Sequence, residues 1–119
     1  MPASLSVVQA PTRTHLAAGR LFKVLGDPTR LAVLRHLAAG PATVTELLDA
    51  LGQPPRSRVG NHLACLAHCG LVTTERSGRT MTYTLADACV LDLVELAAQV
   101  AAPNADHLAS CTRIGPAWI

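Results

Sequence analysis

Aromatic residues are nearly missing from this chain: Phe22, Tyr83 and Trp118 are the only three in 119 residues, although half the composition is hydrophobic. A core must therefore be packed from Leu, Val and Ala, which suits helices meeting helices. No uninterrupted apolar run approaches the roughly 18 residues of a membrane span. The first ten residues lack the basic region that opens a signal peptide, so a cytoplasmic location and no membrane partner are expected. In that compartment the four cysteines are expected as thiols or metal ligands rather than disulfides. The chain has no internal repeat and no low-complexity tract, and its length suits one domain. It also lacks a phosphate loop, a nucleophile elbow and an open metal site with a placed general base. The expectation is a protein that is not an enzyme.

A formal charge of +2 is too small to imply a nucleic-acid partner by itself, but its distribution is uneven. Arg56, Arg58, Arg76 and Arg79 face a single acid, Glu75, between positions 56 and 79. Positions 80–112 hold Asp87, Asp92, Glu95 and Asp106 and no Lys or Arg. A basic stretch beside an acidic one fits a protein with one DNA-facing side.

Residues 1–12 carry Pro2 and Pro11 without periodicity and read as a flexible tail. A helix is predicted over about 14–25, ending at Gly26. Asp27 as N-cap with Pro28 at the first helical position opens a second, stopped by Gly40-Pro41. Thr43 to Glu46 has the form of a capping box and opens a short helix closed by Gly52. After the turn Gln53-Pro54-Pro55, Ser57 is expected to cap a helix running to about Cys69. Two short helices around such a turn form a helix-turn-helix, whose second member reads the major groove. Two Thr-rich runs, 71–76 and 80–85, flank Ser77-Gly78 and predict a β-hairpin, the wing of a winged helix. Asp87 is expected to cap a last helix reaching about Ala102, ended by Pro103. The expected layout is thus a 1–12 tail, a mainly α winged helix-turn-helix domain over 13–102, and a 103–119 tail. Val90, Leu93, Val94, Ala97 and Val100 exceed what so small a domain can cover, so a homodimer joined through its first and last helices is expected.

Around the predicted recognition helix, at about 100° per residue, Val59, Leu63, Leu66 and Gly70 form the core stripe. Ser57, Gly60, Asn61, Ala64 and His68 lie opposite, and Arg58, His62, Cys65 and Cys69 fall between. Candidate DNA contacts are Arg56, Ser57, Arg58, Asn61 and His68 on the helix, with Arg76 and Arg79 on the wing. His62 is expected to pack. Cys65 and Cys69 are one helical turn apart, with Cβ atoms roughly 5–6 Å from each other, so two thiolates there can close on one soft ion. The bland alternative is a pair of small buried hydrophobes. Cys89 reads as core or interface.

From Leu21 to Leu85 the order of elements resembles the ArsR/SmtB family of metal-sensing repressors. The residues that carry the likeness are Asp27-Pro-Thr-Arg30, Asn61-His-Leu63 and the wing's Ser77-Gly-Arg79 with Tyr83. The run Asn61 to Leu71 with both cysteines, Leu85-Ala-Asp87 and a lone Cys111 are most similar to the cadmium- and lead-sensing CmtR branch. That resemblance implies a homodimeric winged-helix repressor that binds operator double-stranded DNA without metal and is released on binding it. It implies Cys65, Cys69 and Cys111 as metal ligands, the last reaching over from the partner subunit. Three thiolates select Cd(II), Pb(II), Hg(II) and As(III) over Mg(II) or Ca(II). Pb(II) and As(III) tolerate three sulfurs, whereas Cd(II) usually wants a fourth donor.

Departures narrow the likeness. A thiolate run used elsewhere in the family is Thr43-Val-Thr45 here, and the zinc- and nickel-type site at the last helix is broken at Cys89, Val100 and Pro103. Gly60 replaces the usual small hydroxyl residue before Asn61 and removes one phosphate contact. Three alternatives stay open at this point: a structural Cys3His zinc that adds His107, a disulfide-forming redox sensor, and a winged helix that binds protein instead of DNA.

Overall fold

The computed structural model describes residues 10–114. Helix α1 spans Arg13–Leu25, α2 Pro28–Leu37, α3 Val44–Ala50, α4 Arg56–His68 and α5 Ala88–Ala101. A 3-10 turn at Ala102–Asn104 leads into α6, Ala105–Ser110. Strands β1 (Ala42–Thr43), β2 (Val72–Ser77) and β3 (Thr80–Leu85) form an antiparallel sheet in the order β1-β3-β2.

The helix starts follow local chemistry. The Asp27 carboxylate accepts the N–H groups of Thr29 at 2.8 Å and Arg30 at 3.2 Å, and Pro28 needs no acceptor, so α2 begins there. Thr43 and Glu46 form the expected reciprocal cap on α3. These backbone hydrogen bonds hold the Glu46 carboxyl below its usual value. Helix α1 carries a capping box in which His15 takes the usual Glu position.

Ser57 does not cap the recognition helix. The Pro55 carbonyl accepts from Arg58 at 3.1 Å and Val59 at 3.3 Å, so α4 starts at Arg56 and Ser57 lies inside its first turn. Gly70 does not join the core stripe. It is exposed with φ +80°, the left-handed geometry that ends a helix most cheaply in glycine. The hairpin turn falls one residue later than expected. Ser77 pairs with Thr80, leaving Gly78 (φ +63°) and Arg79 as a two-residue loop. Glycine in the first position suits the loop twist that matches paired strands.

The core is aliphatic throughout: Leu25, Val33, Leu34, Leu37, Leu47, Leu48, Val59, Leu63, Leu66, Leu71, Val72, Val90 and Val94, with Ala42. Val90 and Val94 therefore face the chain's own interior rather than a partner. The uncovered face of α5 carries Leu96, 56% exposed, and Val100, 68% exposed, with half-buried Leu93 and Ala97 at its edge. Pro103 does not end the helical path, because at the start of a 3-10 turn its missing N–H costs nothing. The segment Ala88–Ser110 consequently forms one long, largely apolar helical path, interrupted by Asp92, Glu95, Gln99 and Asp106, so no uninterrupted apolar run of spanning length occurs in it. Its acids Asp92 and Glu95 and its one-sided apolar stripe make it amphipathic. The principal extents, 59 × 30 × 21 Å, reflect this long arm. The radius of gyration is 17.1 Å, against about 13 Å for a compact domain of this size.

Leu34 is fully buried where α2 meets the rest of the core. Leu34→Ala should lower unfolding free energy by about 2–5 kcal/mol, read from urea denaturation followed by circular dichroism. A loss below 1 kcal/mol would contradict this core assignment.

Candidate functional site

Helix α4 is held by one side. Val59, Leu63 and Leu66 are fully buried, and α4 packs on α2, α3 and β2. That seating turns Arg56, Ser57, Arg58, Asn61, Ala64 and His68 outward, all exposed, with Gly60 half-buried among them. Arg76 and Arg79 are exposed on the wing. Small and polar side chains over one helix flank, with two arginines on an adjoining hairpin, are what a groove-reading surface requires.

The intermediate stripe carries the thiols. Cys65 is half-buried, Cys69 is exposed, and both are free. Partial desolvation and then the neighbouring Cys65 sulfur push the Cys69 thiol above its usual value, with Arg30 and Arg20 acting weakly the other way. Cys69 also borders a cleft of about 480 Å³ with Arg20, Leu21, Lys23, Val24 and Arg30. Two soft donors one helical turn apart, one of them open to solvent, fit a thiophilic ion, and Arg20 and Arg30 nearby favour the thiolate form it needs.

His62, on the same stripe, packs as expected. Arg30 Nε donates to His62 Nδ1 at 3.0 Å and its terminal nitrogen donates to the Val24 carbonyl at 3.0 Å. His62 Nε2 lies 3.8 Å from the Asp27 carboxylate. Arg30 thus joins the end of α1, the start of α2 and the middle of α4. Sequence reasoning assigned it no role, and the only available signal was its place in the Asp27-Pro-Thr-Arg30 run.

The other cysteines lie elsewhere. Cys111 is half-buried just after α6. Among the described residues no three His, Cys, Asp or Glu side chains gather as a metal site. A single chain in this arrangement therefore supplies the Cys65–Cys69 pair without Cys111, and it does not assemble the Cys3His set with His107 either. Cys89 is exposed in the first turn of α5, not in the core. Its N–H is taken by the Asp87 carboxylate at 2.9 Å, and a side-chain hydrogen bond to that group raises the Cys89 thiol.

One further surface stands open. Phe22 of α1, Leu93, Leu96, Ala97, Val100 and Ala101 of the α5 arm, and Leu108 of α6 line an apolar groove of about 360 Å³. Exposed contiguous apolar surface of this kind marks a partner.

A helix-turn-helix with a two-stranded wing and an outward recognition face defines a winged-helix DNA-binding regulator. Residues 25–75 match the family described as helix-turn-helix domain. A probable mercury resistance operon repressor of Streptomyces lividans is 41% identical over 113 residues, covering 93% of this chain and 88% of that protein. The transcriptional regulator CmtR of Mycobacterium tuberculosis is 44% identical over 72 residues, 60% of either chain. Among solved structures, the AntR antimony-specific transcriptional repressor superposes with a TM-score of 0.67 at 33% identity, covering 84% of this chain and 91% of that one. The homodimeric winged helix-turn-helix domain of a Mycobacterium bovis protein, a possible ArsR-family regulator, gives 0.64 at 29% identity over 82% and 91%. The chain belongs to the ArsR/SmtB family and is a metal-responsive transcriptional repressor.

The raised thiols are directly measurable. Alkylation of Cys69 by iodoacetamide should be slower at pH 7 than that of an unperturbed cysteine peptide, and its rate-against-pH midpoint should lie higher, since only thiolate reacts. Peptide mapping by mass spectrometry reads this site by site, and a midpoint below that of the free peptide would reverse the sign.

Proposed function

We propose that the protein, as a metal-free homodimer in the cytoplasm, binds operator DNA and lets go when a soft thiophilic ion is bound by Cys65 and Cys69 together with Cys111 of the partner subunit. The observation that carries this is the placing of both thiols on the helix whose adjoining flank bears Ser57, Asn61 and His68. An ion gripping one flank of a rigid helix acts on its other flank without an intermediary. DNA contacts are assigned to Arg56, Ser57, Arg58, Asn61 and His68 on α4 and to Arg76 and Arg79 on the wing.

The absence of a third donor within one chain's described residues supports ligation across a dimer. So do the apolar groove between α1 and the α5 arm and the homodimeric relative that aligns over most of the chain. Joining the pair to a partner's tail would change the spacing or tilt of the two recognition helices, so that one geometry no longer meets both half-sites. Such couplings are typically about 1–3 kcal/mol, or roughly 5–150-fold in affinity. Cd(II) and Pb(II) are the inducers assigned first, with As(III) and Hg(II) in the same thiophilic class. The mercury and antimony repressors among its relatives support that class as a whole.

Cys65→Ser and Cys69→Ser should each bind operator with wild-type affinity yet stay bound when Cd(II), Pb(II), Hg(II) or As(III) is added. Cys111→Ser should keep partial ion affinity with weaker release, and Cys89→Ser should behave as wild type. Fluorescence anisotropy of labelled operator with ion titrations checks all four. If losing Cys89 abolishes induction while losing Cys111 does not, the third ligand is misassigned. Because thiols must shed protons to bind the ion, induction should need more metal as pH falls.

Introducing charge on the uncovered face tests the dimer. Leu96→Glu combined with Val100→Glu should leave a folded monomer in sedimentation velocity at micromolar concentration, with operator affinity down at least tenfold. A dimer unaffected by both charges would move the interface elsewhere.

A further inference from the structure

The wing and the two helices of the helix-turn-helix border a half-open polar cavity of about 380 Å³, lined by none of the residues of the cleft beside Cys69. It is lined by Arg56 from the start of α4, Arg76 and Arg79 from the hairpin, Thr43, Val44 and Thr45 from the start of α3, and Thr80 and Met81 from β3. Three arginines, one from α4 and two from the hairpin, thus border one small space. Their like charges repel unless an anion lies between them. Among the described residues none of the three is ion-paired: the one salt bridge is His62 with Asp27. Glu46, in the first turn of α3, is already committed to the Thr43 N–H at 2.9 Å. Arg56 reaches α3 through a long contact from its terminal nitrogen to Thr45 Oγ1 at 3.5 Å, and both residues line the cavity. The volume sits near the lower end of the roughly 300–1,000 Å³ of small-ligand pockets, enough for one anionic group with its surroundings.

We infer that this cavity is a phosphate site in which Arg56, Arg76 and Arg79 jointly clasp a single phosphodiester of the DNA backbone, with the Thr45 and Thr80 hydroxyls as additional donors. The inference rests on the DNA-binding reading above and deepens it. The three arginines are not three separate contacts along the groove but one clamp, closing between the foot of the recognition helix and the wing. The clamp fixes register and carries no sequence information, leaving base discrimination to Asn61 and its neighbours. Guanidinium suits the task because its planar fork pairs with two phosphate oxygens at once.

Counting phosphates decides the matter. The slope of log affinity against log salt reports phosphates neutralised, at about 0.9 per phosphate on B-DNA, not arginines present. Arg56→Gln, Arg76→Gln, Arg79→Gln and the triple variant of the full chain are titrated against random-sequence duplex DNA at several salt concentrations. Arg35→Gln, exposed on α2 and outside the cavity lining, controls for net charge, and matching thermal midpoints show that folding is intact. One shared phosphate predicts that the triple variant loses about one unit of slope per protomer, about two per dimer. It also predicts that each single variant weakens binding, and that their losses are not additive. A triple variant that loses close to three units per protomer, or singles whose losses simply add, would mean separate phosphates and overturn the clamp. A triple variant with an unchanged slope overturns it too. A wild-type protein with no salt-dependent affinity for duplex DNA overturns the DNA reading itself, and this site with it.

Discussion

The fixed rotation of α4 is the constraint on which the rest depends. Val59, Leu63 and Leu66, all fully buried, key one face of the helix into α2, α3 and β2. Each such side chain contributes roughly 1.5–3 kcal/mol by leaving water, so turning the helix about its axis would forfeit several of them together. With that face locked, the outward flank bearing Asn61 and the thiol flank bearing Cys65 and Cys69 hold a set angle to each other. The two flanks therefore move together as one rigid body.

Arg30 adds a second lock. Its guanidinium spans the Val24 carbonyl and His62, while Asp27, the cap of α2, approaches the other side of the same imidazole. The end of α1, the start of α2 and the middle of α4 thus share one polar junction beside Cys69. Helix α1 also contributes Phe22 to the apolar groove shared with the α5 arm. The junction places the thiols, the recognition helix and the open apolar face within one mechanical unit, which is how a metal-responsive repressor can be built from so few residues.

The C-terminal arm is the least self-sufficient part of the chain. Its first turns bury Val90 and Val94, but Leu96, Val100 and Leu108 remain in solvent and the molecule is drawn out to 59 Å. A helix apolar on one side and acidic at Asp92 and Glu95 does not stand alone in water at that exposure. The same arm carries Cys111, which joins no cluster with the Cys65–Cys69 pair among the described residues of one chain.

Much of this architecture was legible in the sequence because it is written in local signals. Asp27-Pro28, the Thr43–Glu46 box and the glycine at 70 act within a few residues, and each marks an element boundary found at or beside its expected place. The i, i+4 spacing of the cysteines and the stripe of Val59, Leu63 and Leu66 follow from helical periodicity alone. What the sequence could not decide were choices set by distant partners or by competing local ones. Pro55's carbonyl displaced Ser57 as the cap, and Pro103 continued the helical path through a 3-10 turn. Val90 and Val94 went inward, where the chain's own helices met them, while Leu96 was left out. The Arg30–His62 junction joins residues 32 positions apart, and Arg56, Arg76 and Arg79 meet around one cavity only because the hairpin folds back toward α3 and α4. Periodicity determined which residues share a face; tertiary packing alone determined what that face meets.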